Sequence, residues 1–280
     1  MMAVWFEQAR RRFHAQCLSG PITMTKGVPS IADVANGPSR EVSIDLIAKL
    51  GQLADCAQKP PGQTAGAMFE NICLAFLEES LAQLAHIRPG TFRVAKGRTI
   101  SQFEQYAHLD ELRVLADGNR ELKTLLGSDY LIKPDVVVIK EALQDHQINR
   151  NGTLIDAGIA RRTSLRASNG AKASLHASVS CKLTIRSDRV QNTRSEALNL
   201  LRNRKGRAPH IVAVTAEPAP SRIAAIALGT GDIDCVYHFA LPELVQVLNE
   251  QGRDSLDLVE TMVNGKRLRD IADLPFDLAI

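Results

Sequence analysis

From about residue 130 the chain alternates short strand-type runs with helix-type runs, and that order restricts its fold more than any other feature. The segment 130–140 contains Val136-Val-Val-Ile139, an apolar run suited to a buried strand. A strand is predicted over 174–184, a helix over 187–205 and a strand over 210–215. A helix over 222–228, a strand over 235–239 and a helix over 242–251 follow. The expected fold is therefore α/β, a mixed sheet with helices on its faces. The first 120 residues read as mostly helical, with helices over 43–57 and 67–86; Met68, Phe69, Ile72 and Phe76 mark the apolar spacing of the second. Between them, Lys59-Pro-Pro-Gly-Gln-Thr-Ala-Gly66 reads as a loop.

With 280 residues, 45% hydrophobic and 23% charged, the chain has the balance of a globular protein, which excludes disordered and fibrous classes. Its longest apolar runs are too short to span a bilayer. Five cysteines, odd in number and without a CxxC pair, argue against a disulfide framework or a cysteine zinc site and point to a reduced cytoplasm. Arg10–Arg12 has no apolar stretch beside it, so no signal peptide is expected. Aromatics at 4% disfavour a surface of stacked bases.

The net charge of +3 conceals an asymmetry. Residues 161–210 carry twelve Lys/Arg against Asp188 and Glu196, a local +10, which leaves −7 on the other 230 residues. A basic stretch in an otherwise acidic chain suggests a polyanion site or a solvated basic face.

Side chains alternate faces along a strand. Over 174–184 one face reads Leu175, Ala177, Val179, Cys181, Leu183 and the other Ser174, His176, Ser178, Ser180, Lys182, Thr184. The first belongs to a core. The second is either a solvated face or a platform for chemistry, with a hydroxyl at Ser180 beside an ammonium at Lys182; His176 on that face is read as structural. Asp135 follows Pro134 at the start of the preceding strand, and Glu196 lies 14 positions beyond Lys182 in the following helix. Phosphodiester hydrolysis needs a hard divalent cation held by carboxylate oxygens and gains from a lysine at the attacked phosphate. An aspartate and a lysine on strands, with a glutamate on a helix, supply those parts.

Pro134-Asp135, Ser180-Cys-Lys182 and Glu196 together resemble the variant motif of the PD-(D/E)xK superfamily, in which Ser replaces the acid before the lysine and a Glu from the next helix takes over. That variant marks the type II restriction endonucleases that recognise CCGG-containing sites. The segments 175–182, 184–189, 199–207, 226–231, 234–239 and 262–267 resemble that family as well. The resemblance implies a restriction-endonuclease-like fold in one domain spanning 1–280, with a mostly helical part (1–125) and an α/β catalytic and DNA-reading part (126–280).

It also implies roles. Asp135 would bind Mg²⁺ with the backbone carbonyl of Cys181, Lys182 would be the catalytic lysine, and Glu196 the acid supplied from the helix. Ser180 occupies the replaced acidic position, and Glu70 would approach the metal site from an N-terminal helix. Arginine can donate twice to guanine and aspartate can accept from the cytosine amino group, so Arg186-Ser-Asp188-Arg189 suits contiguous G·C pairs; helix capping by Ser187 or Asp188 is the other use of the same segment. In the family the matching residues read the CCGG core. Gln63 would read it from the minor groove, and Asp33 and Arg222 would contact the outer G·C pair. Arg202, Arg204, Lys205 and Arg207 suit phosphate contacts or a solvated helix end.

The implied activity is Mg²⁺-dependent cleavage of double-stranded DNA at a GCCGGC-like palindrome after the first G, leaving 5′ overhangs. The implied assembly is a dimer at least, and a tetramer by resemblance, paired functionally with a cognate DNA methyltransferase. The rival readings are a structure-selective repair or recombination nuclease of the same superfamily and a non-catalytic sequence-specific DNA-binding protein. A metabolic α/β enzyme is disfavoured because no glycine-rich phosphate loop follows a predicted strand.

Overall fold

A computed structural model describes residues 4–55, 60–88, 90–126, 131–229 and 231–280. The N-terminal half contributes α1 (Trp5–Ser19), a small hairpin of β1 (Met24–Thr25) and β2 (Val28–Pro29), α2 (Gly37–Leu50), α3 (Gly62–Gln83), β3 (Phe92–Ala95), α4 (His108–Asp117) and α5 (Arg120–Leu126). There follow β4 (Val136–Lys140), α6 (Asp145–Ile148), β5 (Ser174–Lys182), α7 (Ser187–Asn203), β6 (His210–Thr215), α8 (Pro220–Ala227) and β7 (Cys235–His238). The chain ends with α9 (Leu241–Glu250), α10 (Ser255–Asn264), β8 (Leu268–Asp270) and α11 (Leu274–Leu278).

The main sheet has the order β3-β4-β5-β6-β7-β8. Its first two pairings are antiparallel and the rest parallel, so the sheet is mixed as expected. Parallel neighbours need crossovers, and α7 and α8 supply two of them. The edge strand β3, from the first half of the chain, was not read from the sequence. It is four residues long with one buried side chain, Val94, and so carries little periodic signal.

Both faces of β5 are buried: every residue from Leu175 to Cys181 is enclosed. The apolar face meets α3, where the Cys181 thiol hydrogen-bonds the thiol of Cys73. The polar face is therefore not the solvated alternative. His176 Nε2 meets the carbonyl of Leu278 in α11 at 2.7 Å, which makes this histidine structural as expected. Central strands of a sheet covered on both sides lose their solvent face whatever their alternation.

Two helices start earlier than their apolar spacing indicates. The Asn36 side chain accepts from the amide of Ser39 (3.1 Å) and opens α2 at Gly37, while Gly51 closes it. In α3 the helix begins at Gly62, inside the segment read as a loop, because Ala65 packs into the core and Pro61 suits the helix boundary. The N-terminal helices are tied to the sheet by Arg10 of α1, which donates to Asp270 (2.8 Å) and Glu243 (2.7 Å). Phe13, Phe69 and Phe76 pack edge to face between α1 and α3, with centroids 5.2 and 6.3 Å from Phe13. Among the described residues no helix is long and apolar enough to cross a membrane. Cys17, Cys73, Cys181 and Cys235 are free, buried thiols; Cys56 lies outside the described residues.

Candidate active site and DNA-reading groove

The sheet brings Asp135 and Lys182 together. Asp135 immediately precedes β4 and Lys182 ends β5; the antiparallel register pairs Val136 with Val179, so the two termini lie side by side. Asp135 Oδ2 accepts from Lys182 Nζ at 2.7 Å and from the amide of Cys181 at 2.8 Å. Burial opposes the lysine charge. The charge and hydrogen bond of Asp135 and the charge of Glu196 outweigh it, and the ammonium is held above the ordinary lysine range.

Glu196 projects from α7 into the field of both groups. Burial pushes its carboxyl up, Lys182 pulls it down and Asp135 pushes it up again, with a net rise. The Ser180 hydroxyl, two residues before Lys182 on the same strand face, is buried and has no hydrogen-bond partner. The Cys181 thiol is held well above its usual range by its bond to Cys73 and by burial. It is thereby kept from acting as a nucleophile.

Glu70 is on α3, one turn before Cys73, whose thiol feels the charges of both Glu70 and Asp135. Its carboxylate is paired with Lys96 at 2.7 Å, and the same ammonium donates to Asn71 at 2.9 Å. Sequence reasoning missed Lys96. Lys96 directly follows β3, the edge strand that the sequence did not reveal, so no signal for it was available.

A second cluster lies just past Lys182. Asp33, Arg186 and Arg222 line one cavity of about 590 Å³, together with Thr184, Ile185 and Ser221. Arg222 Nη2 donates to Asp33 Oδ2, so the two residues assigned to the outer base pair form an ion pair across 189 positions of sequence. Behind them Glu217 is fully buried. Its carboxylate accepts from the amides of Ile185 (2.8 Å) and Ala219 (3.1 Å) and lies 3.9 Å from Arg222 Nη1. Burial raises its pKa, while the amide bonds and Arg222 pull it down. Nothing in its sequence surroundings, Thr215-Ala-Glu-Pro218, marks it out.

Arg186 is exposed and sits at the N-cap position of α7 without capping it through its side chain. Ser187 and Asp188 therefore stand inside the first turn, and neither is the N-cap residue that the sequence allowed. The side chains of Asp188 and Arg189 lie outside the described residues. Gln63 is exposed in the first turn of α3. The basic residues Arg202, Arg204, Lys205 and Arg207 are all exposed around the end of α7.

Two comparisons bear on this arrangement. The model of the NgoMIV restriction enzyme family matches residues 13–280. The type II restriction enzyme NgoMIV of Neisseria gonorrhoeae is 53% identical over 283 aligned positions, which cover 98% of this chain and 99% of that protein. The chain belongs to the NgoMIV restriction enzyme family. As a member of that family it is a type II restriction endonuclease, a site-specific hydrolase of double-stranded DNA. Family membership also identifies the mixed sheet and its helices as the restriction-endonuclease-like fold.

Proposed function

We propose that the enzyme cleaves DNA at a GCCGGC-like palindrome in a Mg²⁺-dependent reaction centred on Asp135, Lys182 and Glu196. Supporting this reading is one observation above the others: Lys182 and Asp135 meet at 2.7 Å where two strands end, with Glu196 in the field of both.

The donor set fits Mg²⁺. Among the described residues no three His, Cys, Asp or Glu side chains gather closely enough to hold a metal alone. Mg²⁺ asks for less, since it keeps several waters and uses one or two carboxylates with substrate phosphate oxygens. Asp135 and Glu196 are such carboxylates, the Cys181 carbonyl is a further oxygen beside Asp135, and the unpartnered Ser180 hydroxyl leaves polar capacity unused. When bound, the ion activates water and neutralises charge on the phosphate.

The chain's own residues do the rest. Lys182, held protonated by Asp135, presents a positive charge to the scissile phosphate. Glu196 would join Asp135 in holding the ion beside the attacking water. One phosphorus–oxygen bond forms from that water as the bond to the leaving sugar oxygen breaks. Glu70 supports the site from α3 through its pairing with Lys96.

Arg186, Asp188 and Arg189 read the CCGG core from the major groove, and Gln63 reads it from the minor groove. Asp33 and Arg222 read the outer G·C pair. Cleavage after the first G leaves four-base 5′ overhangs. A palindrome matches a two-fold dimer, and the family resemblance extends this to a tetramer. The chain works as one domain in the cytoplasm, beside a methyltransferase that protects the host's own sites.

Plasmid cleavage in Mg²⁺ followed by sequencing of the ends tests the proposal. Uniform ends at GCCGGC are expected. Scattered ends, or undiminished cutting by Lys182→Ala, would overturn it.

A further inference from the structure

A second basic site lies at the other end of the sheet. The start of β5, the end of β4 and the start of β6 meet in a cavity of about 240 Å³, lined by Arg88, Lys140, Lys205, Arg207, His176 and His210. Eight residue steps along β5 separate Ser174, in its wall, from Lys182, a distance of about 26 Å.

Four cations face two carboxylates here, which leaves the lining net positive. Glu141 is bonded by Arg93 at 2.9 Å, and Glu104 accepts from the amide of Lys172 at 2.8 Å. Lys140, Lys205 and Arg207 make no side-chain ion pair among the described residues, and Arg88 donates to the carbonyl of Ala279 at 3.0 Å. The cations repel one another across the cavity. After burial, the charges of Arg88 and Arg207 lower the Lys140 pKa. Burial, followed by charges that include Arg88 and Lys140, takes His176 down to about 4.

The segment that carries Thr163 and Ser164 is held in place by hydrogen bonds within the chain. The amide of Leu143 donates to Leu165 at 2.7 Å and that of Ala167 to Leu143 at 2.9 Å. Arg166 is locked onto Asp145 by two bonds of 2.7 Å. This fixes Thr163 and Ser164, two hydroxyl donors, in the lining of the cavity.

We propose that this cavity binds a phosphate-class oxyanion at a site separate from the catalytic centre. The guanidinium groups of Arg88 and Arg207, the ammonium groups of Lys140 and Lys205 and the hydroxyls of Thr163 and Ser164 supply donors on several sides of one cavity, which a tetrahedral dianion uses and a flat carboxylate does not. The volume is below the range of drug-sized ligands, about 300–1,000 Å³. An anion there would relieve the repulsion and join the 163–165 segment to β4, β5 and β6. The phosphate could arrive free or as part of a DNA backbone.

Calorimetric titration of the full chain with sodium phosphate, free of divalent metal and at fixed ionic strength, tests the inference. One site per chain is expected, with Tm raised by about 2–4 °C at phosphate near five times its Kd. Lys140→Ala/Arg207→Ala should weaken binding at least about tenfold, while Lys182→Ala should leave it unchanged. If the double variant does not fold, Arg207→Ala alone, at an exposed position, carries the same expectation. Absence of binding to the wild type, unaltered affinity in the pocket variants, or loss in Lys182→Ala would overturn the site. Displacement of phosphate by a short duplex lacking CCGG identifies the DNA backbone as the source; failure to displace it identifies free phosphate.

Discussion

Lys182 Nζ lies 2.7 Å from Asp135 Oδ2, so the charged groups carried by the ends of two neighbouring strands neutralise each other before any DNA arrives. Both side chains are about one-fifth exposed, which keeps the pair accessible from solvent while most of its surface is enclosed. An ion pair of this kind stores an ammonium at a defined place and leaves it free to turn toward a phosphate.

Lys182→Ala is expected to lower the cleavage rate by roughly 10²–10³-fold, the scale of losing one group that stabilises transition-state charge. DNA binding, measured by gel shift in Ca²⁺, should persist. Loss of binding together with cleavage would show that the lysine holds the substrate and not the chemistry.

The ion pair between Asp33 and Arg222, the residues proposed to read the outer base pair, couples the two side chains. Asp33→Ala should release Arg222 and weaken discrimination at the outer base pair by about 1–3 kcal/mol. Cleavage rates on GCCGGC and ACCGGT duplexes measure it. Glu217→Gln should act in the same direction without touching DNA, because it loosens the turn that carries Ile185 and the start of α8.

Arg194 joins α7 to the end of α8, donating to Ala225 (2.8 Å) and Leu228 (2.9 Å), and pairs at 3.2 Å with Asp232, whose side chain is 2% exposed. Arg194→Ala removes the cation paired with that buried carboxylate, and should cost about 3 kcal/mol of stability in urea unfolding. The added Cβ of Gly229→Ala would run into the Arg194 guanidinium, so this variant should destabilise the same joint.

Stability should fall as pH drops from about 6.5 toward 4. Burial takes fully enclosed His238 down to about 4 in the folded state. Its Nδ1 accepts from the amide of Ala240, which requires the neutral ring. The unfolded chain therefore takes up the proton first. The stabilisation is complete above the unfolded value and is lost as pH falls toward the folded one, by about 3 kcal/mol for this residue. Denaturation midpoints at pH 7.5 and 4.5 check this; equal midpoints would refute it.

The salt dependence of binding reports the basic window. The logarithm of affinity should fall linearly with the logarithm of salt concentration, and Arg202→Ala, at an exposed position suited to a phosphate contact, should reduce the slope by about one. A flat dependence would remove residues 161–210 from the DNA-facing surface.

Much of the candidate active site was legible before any fold was known. Alternation along 174–184 put Ser180 and Lys182 on one face, Pro134-Asp135 marked the neighbouring strand, and the helix after β5 carried Glu196. Such patterns are written within a few residues, because strand and helix periods are local properties of the backbone. Other features depend on which elements become neighbours. Burial of the polar face of β5, the 189-position link between Asp33 and Arg222, and the brace at Glu217 are of this kind. So are the pairing of Glu70 with Lys96 and the early start of α3 at Gly62, where packing of Ala65 outweighs a loop-like composition. By itself the sequence determined the strand and helix order and the residue types the chemistry needs. Only the tertiary structure decided which charges meet and which are enclosed, because pairing and desolvation energies depend on distance in space.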